Sequence, residues 1–232
     1  MKKVIISWSS GKDSALTLLK MLQSDHYQVV GLFTTYSAEK SLVPIQATPI
    51  QFVRLQAEAI GLPLLEIPMD KGVSNNQYQQ TLIAALEAWP LDFDAIAFGD
   101  IYNNGIADFR KKVFQDTSIE CVFPLLKDRV GKQSRDIADQ IIQSGIKAML
   151  QSINLRHLDN QYCGAIYSPE LLDRLPKQVD PCGEGGEFHT FVFDAPFFKH
   201  KIMLEPLDQE HQHYHHGSDM NMLVQRFNAQ LA

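Results

Sequence analysis

The chain has 232 residues, 45% of them hydrophobic and 21% charged, with a formal net charge of -6. This ordinary globular composition argues against disorder, the acidic balance argues against a general nucleic-acid binder, and the length allows one large α/β domain or two smaller ones. Cys121, Cys163 and Cys182 lack a Cys-x-x-Cys pairing, so neither a disulfide framework nor a zinc knuckle is supported and a reducing, cytoplasmic setting fits.

The start Met1-Lys2-Lys3-Val4-Ile5-Ile6 is too short in its apolar part for a signal peptide, and no 18-residue apolar stretch exists. Val4-Ile5-Ile6 reads as a strand, Ser9 to Ser14 as a small-residue loop, and Ser14 to about Gln23 as a helix with Ala15, Leu18, Leu19 and Leu22 on one face. Such a loop gathers backbone N–H groups and the positive end of a helix dipole onto an anion, and Lys12 adds a full charge. The same letters also fit an ordinary turn with an N-cap. Val29 to Thr35 is a buried-type strand. Thr48-Pro49 predicts an N-cap and first position for a helix through Ile50, Val53, Leu55 and Ala59 that stops at Gly61. Leu64 to Ile67 is a strand closed by Pro68, Asn75 to Trp89 a helix, Ala95 to Phe98 a strand, Ile106 to about Gln115 a helix, and Glu120 to Phe123 a strand closed by Pro124.

This alternation predicts an α/β fold with a doubly wound, five-stranded parallel sheet that takes ligands beyond the carboxyl ends of its strands. After Pro124 the rhythm changes: helix from Ser134 to about Ser144, strand from Lys147 to Ile153, short helix from Pro169 to Leu175, strand from Thr190 to Phe193. A first domain over 1–126 and a second, smaller α+β domain over 127–232 are expected to pack together with a cleft between them. Arg110, Lys111, Lys112, Lys127, Arg129, Lys132 and Arg135 form a basic region that fits a solvated helix face or a phosphate-facing patch. Glu210-His211-Gln212-His213-Tyr214-His215-His216 fits a flexible polar segment before a last helix near Met220 to Gln230, and its imidazoles also suit a transition metal.

The loop spacing is selective. The common P-loop string and Gly-x-Gly-x-x-Gly are both absent. Ser9-Ser10-Gly11-Lys12-Asp13-Ser14 resembles instead the PP-loop of the N-type ATP pyrophosphatases, usually Ser-Gly-Gly-Lys-Asp-Ser. Ser10 stands at the first glycine, so that position is expected to take an ordinary backbone. A second constellation runs from Asp180 through Cys182-Gly183-Glu184-Gly185-Gly186-Glu187-Phe188-His189 to Thr190. Glu184 and Glu187 suit a cationic group, a magnesium ion or general-base work, and His189 titrates near neutrality. A glycine-rich turn whose glutamates face water fits the same letters.

Together the loop, Phe98-Gly99-Asp100-Ile101, Phe123-Pro124-Leu125 and Gly183 to Val192 resemble the diphthine-ammonia ligase family of adenine-nucleotide α-hydrolase-like proteins, from about Val4 to about Ile202. The resemblance implies a HUP-like PP-loop ATPase fold and an enzyme that adenylates a carboxylate with ATP, releases pyrophosphate and lets ammonia displace AMP. It implies that Ser9, Ser10, Gly11, Lys12, Asp13 and Ser14 hold the phosphates, that Asp13 reaches Mg²⁺, and that Phe33 and Thr34 line the adenine pocket. Gly99 and Asp100 would lie near the α-phosphate or the acceptor. Glu184, Gly185, Gly186, Glu187, His189 and Thr190 would bind the acceptor or ammonia, with Lys12, Asp13 and Glu187 catalytic. The family usually has Glu-Tyr-Glu-Thr where this chain has Glu187-Phe188-His189-Thr190, which leaves the acceptor open as diphthine or another carboxylate, small or protein-borne. A homodimer is compatible with the sequence. Two other readings stay open: a nucleotide-binding regulatory protein without turnover, and a PP-loop tRNA sulfur transferase.

Overall fold

Val4, Ile5 and Ile6 are fully buried because the strand that carries them lies inside a sheet with helices on both faces and has no wet side. The computed structural model describes residues 1–44, 46–102, 105–128, 133–216 and 218–232. In chain order its elements are β1 (Lys2–Ser7), α1 (Lys12–Leu22), β2 (Tyr27–Ser37), β3 (Leu42–Val43), β4 (Thr48–Pro49), α2 (Ile50–Ile60), β5 (Leu64–Met69), α3 (Asn75–Ala88), β6 (Ala95–Ala97), α4 (Ile106–Val113) and β7 (Glu120–Val122). They continue with α5 (Pro124–Asp128), α6 (Ser134–Gln143), β8 (Lys147–Asn154), α7 (Pro169–Arg174), β9 (Phe188–Asp194), β10 (Ile202–His216) and β11 (Ser218–Leu231).

The first sheet is mostly parallel. β1 pairs with β2 and β6, β2 with β5, and β6 with β7, all parallel. The two-residue strands β3 and β4 add an antiparallel extension beyond the end of β2, so the sheet has seven strands where five were expected. Strands that short leave no periodic signature. Alternation along β1 splits its side chains between two cores. Ile5 joins Phe33, Ile67 and Ile96 against Leu82 and Leu86 of α3 and Val113 of α4. Val4 and Ile6 face Ala15 and Leu18 of α1, Val53 and Ala57 of α2, and Ile137 and Ile141 of α6.

A second, antiparallel sheet in the order β10-β11-β8-β9 covers the other side of α1 and α2. Phe52 of α2 packs 4.8 Å from the ring of Phe227 and 6.2 Å from that of Phe191. Lying between two sheets, α1 buries Lys12, Ser14, Leu16, Thr17 and Met21 as well as Ala15 and Leu18. Leu22, expected on the buried face, ends the helix 48% exposed.

Four further expectations are corrected. The helix near Met220 to Gln230 is strand β11: Met222-Leu223-Val224 is an apolar run without a decisive period, and its pairing with Ser152 to Asn154 of β8 settles it. The polar segment before it is the strand β10; His211 on it is exposed, and the side chains of His213, His215 and His216 lie outside the described residues. β5 runs through Pro68, tolerated because β5 pairs only with β2. Pro49, not Thr48, is the N-cap of α2, and no side chain caps it; Gly61 stops the helix at φ +78°, as expected.

Within the described part of the basic region Arg110 pairs with Asp100, Lys111 with Asp108, and Arg135 with Asp139 and Asp173. Arg129, Lys132 and the Lys127 side chain lie outside the described residues. No helix among the described residues is long and apolar enough to cross a membrane.

Gly31 of β2 lets the segment after α3 close over the sheet. A Cβ there would sit 2.6 Å from Trp89 Cη2 and 2.8 Å from Leu91 Cδ2. Gly31→Ala is expected to lower stability by about 1–3 kcal/mol, read as an earlier urea midpoint with unchanged slope.

Candidate functional site

The loop between β1 and α1 is bent by one residue. Ser10 has φ +74°, so the expected ordinary backbone is corrected: the position is left-handed, at a cost of roughly 1–2 kcal/mol for a non-glycine residue. Buried hydrogen bonds hold it. Thr48 Oγ1 donates to Gln151 Oε1 at 2.7 Å, and with that hydrogen committed, Ser10 Oγ donates to Thr48 Oγ1 across 2.9 Å. Ser10 O accepts from Val192 N at 3.0 Å and from Gln56 Nε2 at 3.1 Å. Gln56 Oε1 in turn receives Trp8 Nε1 at 2.8 Å.

The first turn of α1 is likewise docked on the second sheet. Lys12 N donates to Thr190 Oγ1 at 3.0 Å, and a Cβ on Gly11 would meet Thr190 O at 3.3 Å. Gly99, at the end of β6, touches the other side: a Cβ there would lie 3.0 Å from the carbonyl carbon of Asp13 and 3.1 Å from Ser14 N. Ser14 Oγ donates to Gly11 O at 2.9 Å and lies 3.2 Å from Ser9 Oγ.

Beside this loop a cavity of about 370 Å³ opens beyond the ends of β1, β2 and β6, lined among others by Ser7, Ser9, Phe33, Thr34, Pro44 and Arg110. Phe33 and Thr34 therefore lie in one wall with Ser9. Asp100 is held by Arg110, with Nε at 2.7 Å and Nη2 at 3.3 Å, and the guanidinium stacks 4.4 Å from the centre of Phe98. Arg110 belongs to this wall although its sequence context reads as surface charge; the fixed reach from a strand-end acid to the first basic residue of the next helix was the available signal.

Lys12 points into the second constellation. Its side chain is 3% exposed, with Nζ 2.9 Å from Asp13 Oδ2, bonded to Cys182 O, and 5.8 and 5.6 Å from the ring centres of Tyr167 and Phe188. Burial works against its charge, but Asp13 and Glu184 outweigh that and hold its pKa above the ordinary lysine value. Carboxylates outnumber the cation. Burial, Asp13, Asp180 and Asp100 push Glu184 up to about 7 against the pull of Lys12, and burial raises Asp13 as well. Asp13 Oδ1 is sealed from solvent without a hydrogen-bond partner. A hard carboxylate oxygen left without a partner fits one place in the shell of Mg²⁺, which takes one or two carboxylates and completes its shell with other oxygens. No group of three His, Cys, Asp or Glu among the described residues would cage a metal by itself.

Asp180 organises the glycine-glutamate loop. It accepts from Tyr102 OH at 3.0 Å, Ser134 Oγ at 2.6 Å and Cys182 N at 2.7 Å. Glu187 is buried, with Oε1 taking Asp180 N at 3.0 Å and Oε2 enclosed without a partner; a Cβ on Gly185 would meet this carboxylate at 2.7 Å. Gly183 and Gly186 take φ of +74° and +77°. His189 projects from β9 with Nε2 sealed and unpartnered, and burial, with Lys12 nearby, lowers its pKa to about 4. Tyr167 and Gln151 escaped sequence reasoning, since nothing local marks a residue whose partner lies in another element, and Asp180 was named there only as the start of the second constellation, without a role of its own.

Two outcomes follow from this geometry. Ser10→Ala keeps the strain and loses the Thr48 bond, so it is expected to cost about 1–2 kcal/mol, whereas Ser10→Gly relieves the strain and is expected to stay within about 0.5 kcal/mol of the parent; equal denaturation midpoints for the two would refute the strain account. Glu184 binds a proton more readily folded than unfolded, so its contribution to stability falls as pH rises from the ordinary value of 4.5 through about 7. Melting temperatures at pH 5 and pH 8 are expected to favour Glu184→Gln over the parent only at the higher pH.

Comparison with known proteins gives this arrangement its relatives. A family model described as the diphthamide synthase N-terminal domain matches residues 1–120, and one described as the diphthamide synthase C-terminal domain matches residues 133–228. A diphthine–ammonia ligase of Danio rerio is 24% identical over 221 residues, covering 85% of this chain and 84% of its own. The Homo sapiens protein of that name is 24% identical over 220 residues, with 85% and 80% covered. That of Schizosaccharomyces pombe is 28% identical over 229 residues, covering 87% of this chain and 36% of its own. The chain belongs to the diphthamide synthase family.

Proposed function

We propose that the protein is an ATP-dependent ligase that converts a carboxylate to an amide with ammonia, as the names of its relatives describe for diphthine. The observation that carries the reading is that the loop Ser9 to Ser14 and the first turn of α1 join two features, the cavity lined by Ser9, Phe33 and Thr34 and, through Lys12, the carboxylate-rich loop at Cys182 and Glu184. The adenine would sit in the cavity, and the phosphates would run along Ser9 to Ser14 toward the positive end of α1. Asp13 would hold Mg²⁺, which would offset charge on the phosphate oxygens.

An acceptor carboxylate oxygen attacks the α-phosphorus, and the bond to the bridging oxygen breaks with its electron pair leaving on pyrophosphate. Ammonia then attacks the acyl carbon, the bond to AMP breaks, and one proton leaves the nitrogen. Donors already fixed before the reaction stabilise the charge on the leaving pyrophosphate without reorganising. Residues 1–126 supply the nucleotide half of this site and 127–232 the acceptor half. The acceptor is assigned only by its chemistry, a carboxylate that reaches Glu187 and His189. The sulfur-transfer reading finds little support in the thiols: burial pushes Cys163 and Cys182 up to about 12, and Cys121 is raised as well.

The test supplies ATP, Mg²⁺ and ammonium with diphthine-bearing elongation factor or a carboxylate panel and assays the nucleotide products. AMP and pyrophosphate are expected in equal amounts; ADP and phosphate would overturn the reading. Lys12→Ala is expected to reduce turnover at least 100-fold with the far-ultraviolet spectrum unchanged.

A further inference from the structure

The ammonium of Lys12 occupies a seat built for a small cation that donates hydrogen bonds. Two ring faces, Tyr167 and Phe188, lie 5.8 and 5.6 Å from Nζ; Cys182 O and Asp13 Oδ2 accept from it; and the side chain is 3% exposed. Aromatic faces attract cations through their quadrupole, most strongly where water is excluded. Yet Lys12 is also the loop cation that would turn to the phosphates of a bound nucleotide. In this seat its ammonium is bonded to Cys182 O and Asp13 Oδ2, and Lys12 is not among the residues that line the cavity beside the loop, so turning to phosphates held there would take it out of the seat.

When Lys12 swings away, the seat keeps its rings, its carbonyl and the Glu184 carboxylate without the ammonium they surround, and a buried carboxylate whose partner is removed is costly. Free ammonium is the lysine head group without its stem: one positive charge, N–H donors on every side, small enough to fit between the same rings. We propose that the seat vacated by Lys12 Nζ, formed by Tyr167, Phe188, Cys182 O, Asp13 and Glu184, is the binding site for ammonium, the nitrogen donor of the ligase. This deepens the function proposed above and rests on it. The arrangement also orders the substrates, since ammonium enters only after nucleotide has drawn Lys12 out.

Two measurements test it. Thermal unfolding is compared in ammonium chloride and sodium chloride at equal ionic strength, with and without an ATP analogue that cannot be cleaved at the α-phosphate. An ammonium-specific rise is expected for the parent only with the analogue, and for Lys12→Ala without it. In steady-state turnover, Tyr167→Leu is expected to raise the KM for ammonium about tenfold with the KM for ATP within twofold of the parent, while Tyr167→Phe, which keeps the ring, leaves both near parental values. Turnover without any ammonium-specific shift, or equal rises in both KM values in Tyr167→Leu, overturns the seat. An ammonium-specific shift in a protein that forms no AMP overturns the ligase reading and leaves the seat standing.

Discussion

A full positive charge withdrawn from water sets the terms for this fold. Lys12 lies at the first position of α1, its side chain almost wholly enclosed, and an uncompensated buried ammonium would deprotonate or drive the site apart. Part of its compensation is its neighbour Asp13, and the rest comes from far along the chain: the Cys182 carbonyl, the Glu184 carboxylate, and the Tyr167 and Phe188 rings. The glycine-glutamate loop takes its course because these groups must converge on one point. Gly183 can turn at positive φ with its backbone pressed on Phe188, where any Cβ would lie 2.7 Å from the Phe188 carbonyl.

The carboxylates around that charge exceed what neutrality needs. Asp13, Asp180 and Asp100 all act on Glu184 and Asp180 acts on Asp13, and the structure ties two of these carboxylates down. Arg110 holds Asp100, and the hydroxyls of Ser134 and Tyr102 with the Cys182 amide hold Asp180. Asp13 and Glu184 are left adjustable, which is where a site that takes up a cation and exchanges protons needs its freedom.

Much of this was legible in the sequence, and the boundary of legibility is physical. The alternation of strand and helix up to Val122, the stop at Gly61 and the helix starting at Ser134 follow from local periodicity and capping, which short stretches of chain carry in full. β11 was misread because Met222-Leu223-Val224 has no period of its own and takes its state from its partners, Glu210 to Gln212 of β10 on one side and Ser152 to Asn154 of β8 on the other. The positive φ of Ser10 escaped for a related reason: its strain is offset by Thr48 and Gln151, neither of which sits near it in the chain. Motif residues could be named; their orientation could not. Lys12, read as a phosphate ligand, rests in an aromatic seat, and Glu187, read as catalytic, has one oxygen committed to closing its own loop.

The bond from Lys12 N to Thr190 Oγ1 spans 178 residues, and that separation bears on how the protein comes into being. Contacts of such range form late, since closing so long a loop costs entropy that only the assembled partners return. The loop Ser9 to Ser14 therefore gains this brace only once β9 is in place, so a segment positioned by the first sheet takes its final set from the second.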